Sequence, residues 1–152
     1  MEFDPVAGAV TVSGDGLPRV ELRRTGGEAD AHTPVGTRAA DRLALTVDGA
    51  PAALALAKGR LTRRSYWVDA VCGGVRYRLV PDSFAGSRLL RDGRRVGSLE
   101  CDGDGRVDAS WSDTAKVLPL DVSVGHALAA GFGTGAQPMW MTATEIVADL
   151  LN

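Results

Sequence analysis

Asp69 stands two residues from Trp67 in a stretch that alternates as a strand does, so both side chains fall on one face. A carboxylate set on an apolar face is desolvated, its pKa rises, and it becomes fit for proton transfer; the same carboxylate facing water is an ordinary anion. Around this pair the chain gathers Arg60, Arg63, Arg64, Arg76 and Arg78, with Tyr77 between the last two. Guanidinium groups with an aromatic and a carboxylate make a plausible surface for an anionic ligand. These eight residues (Arg60, Arg63, Arg64, Trp67, Asp69, Arg76, Tyr77 and Arg78) are the candidate ligand-binding set. No residue is singled out as catalytic.

Other groupings fall short of a chemistry. Asp102-Gly103-Asp104-Gly105-Arg106-Val107-Asp108 resembles a calcium loop for three positions, but the fifth, sixth and twelfth hold Arg106, Val107 and Asp113, where oxygen, glycine and glutamate are needed. A turn is expected there instead. His126 has no second histidine four residues away and reads as a hydrogen-bonded core histidine; with Asp121 nearby, a general base is the sharper alternative. The run Gly131 to Ala136 lacks the Gly-Lys-Ser/Thr ending of a phosphate loop, and no G-x-S-x-G elbow is present. Cys72 and Cys101 are too few for a disulfide framework and are not at metal-ligand spacing; a single bridge would require neighbouring strands. No metal or cofactor is expected.

The elements that would carry these residues are hairpins. Asp48-Gly49, Gly73-Gly74, Asp92-Gly93 and Asp104-Gly105 fall within 58 residues, each between apolar or alternating runs, and Gly14-Asp15-Gly16 adds another turn. Expected strands include Ala9 to Ser13, Arg19 to Arg24, Leu43 to Val47 and a segment from Ala50. Val75, Tyr77 and Leu79 share one face of the next, with Arg76 and Arg78 on the other. Tyr66, Val68, Ala70 and Cys72 oppose Trp67, Asp69 and Val71. Leu90, Val96 and Leu99 flank the Asp92-Gly93 turn, and Val107, Ala109 and Trp111 close the series. Thr25 to Arg42 is expected to be a long loop.

After Pro119 the texture changes. Leu120 to Phe132 is apolar except for Asp121, Ser123 and His126, which predicts a helix buried on nearly every side, with Asp121 as its N-cap and the glycines from Gly131 ending it. Its small residues would allow strands to come close. Thr142-Ala143-Thr144-Glu145 forms a capping box before a short amphipathic C-terminal helix.

At 152 residues, 45% apolar and 24% charged, the chain is expected to fold as one domain, residues 1–152, with an ample core. The formal charge of −2 argues against nucleic-acid binding. It is unevenly spread: residues 58–95 carry +7, those before them −3 and those after −6. Pairing of the two signs across a sheet accounts for the pattern; a basic face for an anionic partner is the sharper reading. Fifteen of the seventeen basic residues are arginine, the texture of a GC-rich bacterial gene. No stretch approaches the roughly 20 apolar residues of a membrane span, and the start lacks a leader pattern, so a cytoplasmic, non-transmembrane protein is expected.

A mainly β, antiparallel hairpin sheet curled into a barrel or half-barrel around a late apolar helix resembles the tubby C-terminal-like and LURP-one-related barrels. The resemblance covers about residues 40–132 and rests on Tyr66 to Cys72, Val75 to Val80, the Leu89 to Leu99 hairpin, Trp111 and the Leu120 to Phe132 helix. Two features depart from it: a short N-terminal part, and some twenty residues after the helix. The resemblance implies membrane-lipid binding, lipid scrambling or protein tethering, and it makes Arg60, Arg63, Arg64, Arg76 and Arg78 similar in character to a phosphoinositide-binding face. A non-catalytic binding or tethering module for anionic lipid or a protein partner is therefore the leading expectation. A small β-barrel enzyme, a cyclase or isomerase of bacterial secondary metabolism working in an apolar pocket, is the alternative; it needs a hollow interior. A third reading makes the C-terminal amphipathic helix a docking element for partner assembly.

Overall fold

The computed structural model describes residues 1–57, 63–83 and 86–134. Among the described residues ten strands follow one another in a simple antiparallel meander: β1 (Glu2–Asp4), β2 (Ala9–Gly14), β3 (Leu17–Arg24), β4 (Leu43–Val47), β5 (Ala50–Leu56), β6 (Val68–Cys72), β7 (Val75–Pro81), β8 (Gly86–Arg91), β9 (Arg94–Glu100) and β10 (Asp108–Trp111). Helix α1 spans Pro119–Phe132. The mainly β, antiparallel expectation holds.

The turns explain the meander. Asp48 and Gly49, Gly73 and Gly74, and Asp92 and Gly93 all have positive φ, the backbone that two-residue hairpins demand. The fourth expected hairpin is looser. Residues 101–107 separate β9 from β10, and the Asp104 side chain closes a local turn by accepting from the Arg106 N–H at 2.9 Å.

Alternation sets the two faces. Val68, Ala70, Cys72, Tyr77 and Leu79 point inward, whereas Arg76 is exposed and Arg78 half-exposed. The β8–β9 hairpin departs from simple alternation. A bulge at Leu89/Leu90 shifts the register, so Leu89 joins Val96 and Leu99 in the core while Leu90 lies half-exposed.

The helix lies inside the curve of the sheet. It packs against β2 and β3 on one side and β7, β8 and β9 on the other. Val124, Ala127, Leu128, Ala129 and Ala130 are fully buried. Close approach depends on glycine: a Cβ on Gly125 would stand 2.9 Å from Leu89 Cδ2, and one on Gly131 would collide with Leu22 Cδ2. Gly133, at φ 75°, closes the helix.

The start differs from expectation. Leu118 precedes the helix and Pro119 opens it, a position where a missing N–H costs nothing. Asp121 is thus not the N-cap. It acts from the third helical position, its Oδ2 accepting from the Leu118 N–H at 2.8 Å.

The expectation was a barrel or half-barrel, and a closed barrel is not what the strand pairing gives. Among the described residues no strand pairing joins β1 to β10, so the sheet is not closed into a barrel. Both edge strands are short, of three and four residues, and offer little backbone for a ladder. Phe3 nevertheless reaches Gly105, where a Cβ would stand 2.7 Å from its ring. The long loop before β4 covers the helix's far end: Val35 is fully buried and its N–H donates to the Gly131 carbonyl at 2.8 Å. Cys72 and Cys101 are buried and free, so no bridge joins them. The C-terminal amphipathic helix proposed for Thr142 to Leu151 lies outside the described residues.

Candidate functional site

The register places Asp69 on β6 directly opposite Arg78 on β7, with Arg76 opposite Val71 on the same outer face. Cross-strand neighbours on one face are close enough for their side chains to meet. Asp69 receives both arginines. Arg78 donates from Nε to Oδ1 at 2.6 Å and from Nη2 to Oδ2 at 2.8 Å, a side-on fork. Arg76 donates from Nε at 3.1 Å and Nη2 at 2.5 Å to Oδ2. The Arg78 guanidinium also lies over the Trp67 ring, 4.2 Å from its centroid. Carboxylate, two guanidinia and indole form one ordered cluster.

Its electrostatics run against the alternative of a raised carboxyl pKa. Burial alone would push Asp69 upward, since only 7% of its side chain is exposed. The hydrogen bonds and charges of Arg78 and Arg76 outweigh that and hold it below the ordinary carboxylate range. Asp69 in turn raises Arg78. Asp69 is therefore an ionised acceptor with both oxygens engaged, unsuited to proton transfer at neutral pH.

Beside the cluster a cleft of about 450 Å³ is lined by Arg76, Arg78, Leu90, Asp92 and Gly93. The Asp92 carboxylate accepts from the Arg76 backbone N–H at 3.0 Å, fixing the turn against β7. Arg94 and Arg95 are exposed just beyond that turn.

Of the eight candidates, Trp67, Asp69, Arg76 and Arg78 are brought together. Tyr77 is not: it is fully buried on the inner face, where its hydroxyl donates to Asp121 Oδ1 at 2.7 Å. Burial first, then the bond to Asp121 and that carboxylate's charge, push its phenol far above the ordinary value. Arg60 lies outside the described residues, as do the side chains of Arg63 and Arg64.

A second polar constellation escaped sequence reasoning. Asp121, with no exposed surface, accepts from Tyr77, from the Leu118 N–H and from Arg91 Nη1 through a short ion pair. Arg91 also donates to the Lys116 carbonyl at 3.2 Å from both terminal nitrogens. The signal was a lone acid in an apolar helix, which requires a partner when buried. With its oxygens so occupied, Asp121 is not an orienting acid for His126. The His126 Nδ1–H instead donates to the Val122 carbonyl at 2.8 Å, and its ring packs 6.2 Å from Trp111. A half-buried, hydrogen-bonded histidine is the outcome.

Among the described residues no group of three or more His, Cys, Asp or Glu could hold a metal ion, and no helix is long and apolar enough to cross a membrane. Comparison with family models, with curated proteins and with solved structures returns no match.

Proposed function

We propose that this chain is a non-catalytic binding or tethering module that docks its arginine face on an anionic lipid surface, on the cytoplasmic side of a membrane. The observation that carries the reading is the position of α1. Val124, Leu128 and Phe132 occupy the space inside the curled sheet that an apolar substrate would need. What is left for recognition is the outer face. There Arg76, Arg78, Arg88 and Arg95 lie on one face of β7, β8 and β9, beside Asp69. Each arginine near an anionic surface contributes about 1 kcal/mol of attraction. A sheet wrapped as a half-barrel around a late apolar helix also agrees with the resemblance to tubby C-terminal-like and LURP-one-related proteins, for which lipid binding or tethering is implied. The enzyme alternative needs a hollow interior, so the position of α1 favours the binding reading over it.

Vesicle co-sedimentation tests the proposal. Recovery with vesicles containing anionic lipid should exceed recovery with neutral phosphatidylcholine vesicles and should fall as salt rises. Replacing Arg95 by Glu should weaken it further. Equal recovery with neutral and anionic vesicles would refute the proposal.

A further inference from the structure

We infer that Arg38, at the C-terminal end of α1, anchors the chain's own residues 135–152 through the carboxylate of Asp149. The inference is independent of the arginine-face reading.

The two ends of the helix differ in charge balance. At its start Arg91 reaches Asp121. At its end no carboxylate among the described residues pairs with Arg38. Its Nη2 donates to the carbonyls of Ala57 at 3.1 Å and Tyr66 at 3.3 Å, and its buried Nε has no partner. The guanidinium lies over two rings, 5.6 Å from the centroid of Tyr66 and 6.0 Å from that of Phe132. Carbonyls and ring faces ease a cation out of water but leave its charge unbalanced. Burial accordingly pulls the Arg38 guanidinium below the ordinary arginine value. Nη1 takes no part in these bonds, and the side chain is only half-buried, so one edge of the guanidinium is open to an acid.

The chain itself supplies one nearby. Residues 135–152 lie outside the described residues, and they start close to Arg38: Phe132 touches it, and Thr134 is tied to β9 by accepting from the Cys101 N–H at 2.7 Å. The segment carries two acids, Glu145 and Asp149, and no basic residue, which complements a cation without a counter-charge. In the helix that the sequence predicts from Thr142, Glu145 is engaged in the capping box. Asp149 instead borders the apolar face, three residues after Ile146 and one before Leu150. Residues 135–141 reach about 23 Å when extended. Asp149 stands about 11 Å along a helix from Thr142. The chain can therefore turn back across the end of α1 and set that carboxylate on Nη1, with its apolar neighbours against the half-buried Tyr66 ring.

Native-state proteolysis of the full chain tests the contact. Chymotrypsin cleaves after Trp140, and release of residues 141–152 is followed by mass spectrometry. A docked segment is cut through its open form, so the rate reads the undocked fraction. Asp149→Asn should speed release about tenfold, the worth of one charged hydrogen bond. Asp149→Lys, which sets like charges together, should speed it further. In Arg38→Met release should already be fast, and adding Asp149→Asn should change it by less than about twofold. Circular dichroism checks that the sheet is intact. If Arg38→Met does not fold, the rates of Asp149→Lys, Asp149→Asn and the native chain, in that falling order and converging as salt rises, carry the test. Equal release from the native chain and Asp149→Asn would overturn the inference, as would additive effects of the two substitutions. Protection that grows with protein concentration would put the segment on a second copy and overturn the contact within one chain.

Discussion

The Tyr77 hydroxyl donates to Asp121 Oδ1 across 2.7 Å, tying the middle of the sheet to the first turn of the helix it curls around. The two residues are 44 apart in sequence, and both are fully buried. The same carboxylate caps the Leu118 N–H and pairs with Arg91. One acid thus holds the helix start, a central strand and its neighbour.

Removing one donor from that acid exposes its worth. Tyr77→Phe keeps the ring and leaves Asp121 Oδ1 short of a partner in a water-poor site. A loss of about 1–3 kcal/mol is expected, the penalty for a buried group left unpaired. Urea unfolding measures it, and a loss well below 1 kcal/mol would mean that water or Arg91 takes over the vacancy.

Alkaline pH should report on the same bond. The Tyr77 phenol is pushed far up in the folded chain, whereas in the unfolded chain it ionises near pH 10. Folding therefore keeps a proton that unfolding releases. The stabilisation is complete below about pH 10 and declines as pH rises above it. Tyr66→Phe leaves Tyr77 as the one tyrosine, since the chain has two. Its tyrosinate absorbance should then appear together with loss of tertiary circular dichroism. A smooth titration at the ordinary tyrosine value with tertiary structure intact would contradict the buried bond.

Acid should act on the outer cluster with the opposite sign. Asp69 lies below its unfolded value of about 3.9 because Arg78 and Arg76 favour the ionised form. Its contribution is present above that value and is lost as pH falls through the folded pKa. The stability difference between the native chain and Asp69→Asn should be constant from neutrality to about pH 5 and shrink below about pH 4. Arg76 is 56% exposed, so added salt should reduce the difference as well. A difference independent of pH would show that packing, not charge, holds the cluster.

How much of this was legible depends on the range over which each signal acts. The hairpins were readable because positive φ at Asp48-Gly49, Gly73-Gly74 and Asp92-Gly93 is a local requirement written in two residues. The outer face of β6 and β7 was readable because period-two alternation places Asp69 and Arg78 before any tertiary contact is known. The bulge at Leu89/Leu90 was hidden: one extra residue exchanges the faces, and no residue type marks it. The Arg91–Asp121 pair was hidden by its 30-residue separation and by that same shift. The direction of the Asp69 pKa is not written in its neighbours along the strand, because it depends on the arginines across the ladder.

The close fit of helix to sheet yields a prediction in which two substitutions must be read together. Gly131→Ala adds a methyl group that meets Leu22 Cδ2, and Leu22 is fully buried with no free side to retreat to. Alanine improves helix propensity by about 0.8–1 kcal/mol. Overpacking in a filled core costs about 1–3 kcal/mol, so the net effect should be destabilising. Leu22→Ala alone should cost about 2–5 kcal/mol through the space it vacates. In the double variant the new methyl enters that space, so the combined loss should be smaller than the sum of the two single losses. A double-mutant cycle by chemical denaturation measures the coupling. Strict additivity would mean that Gly131 and Leu22 do not touch, and the helix would then not lie inside the sheet at β3.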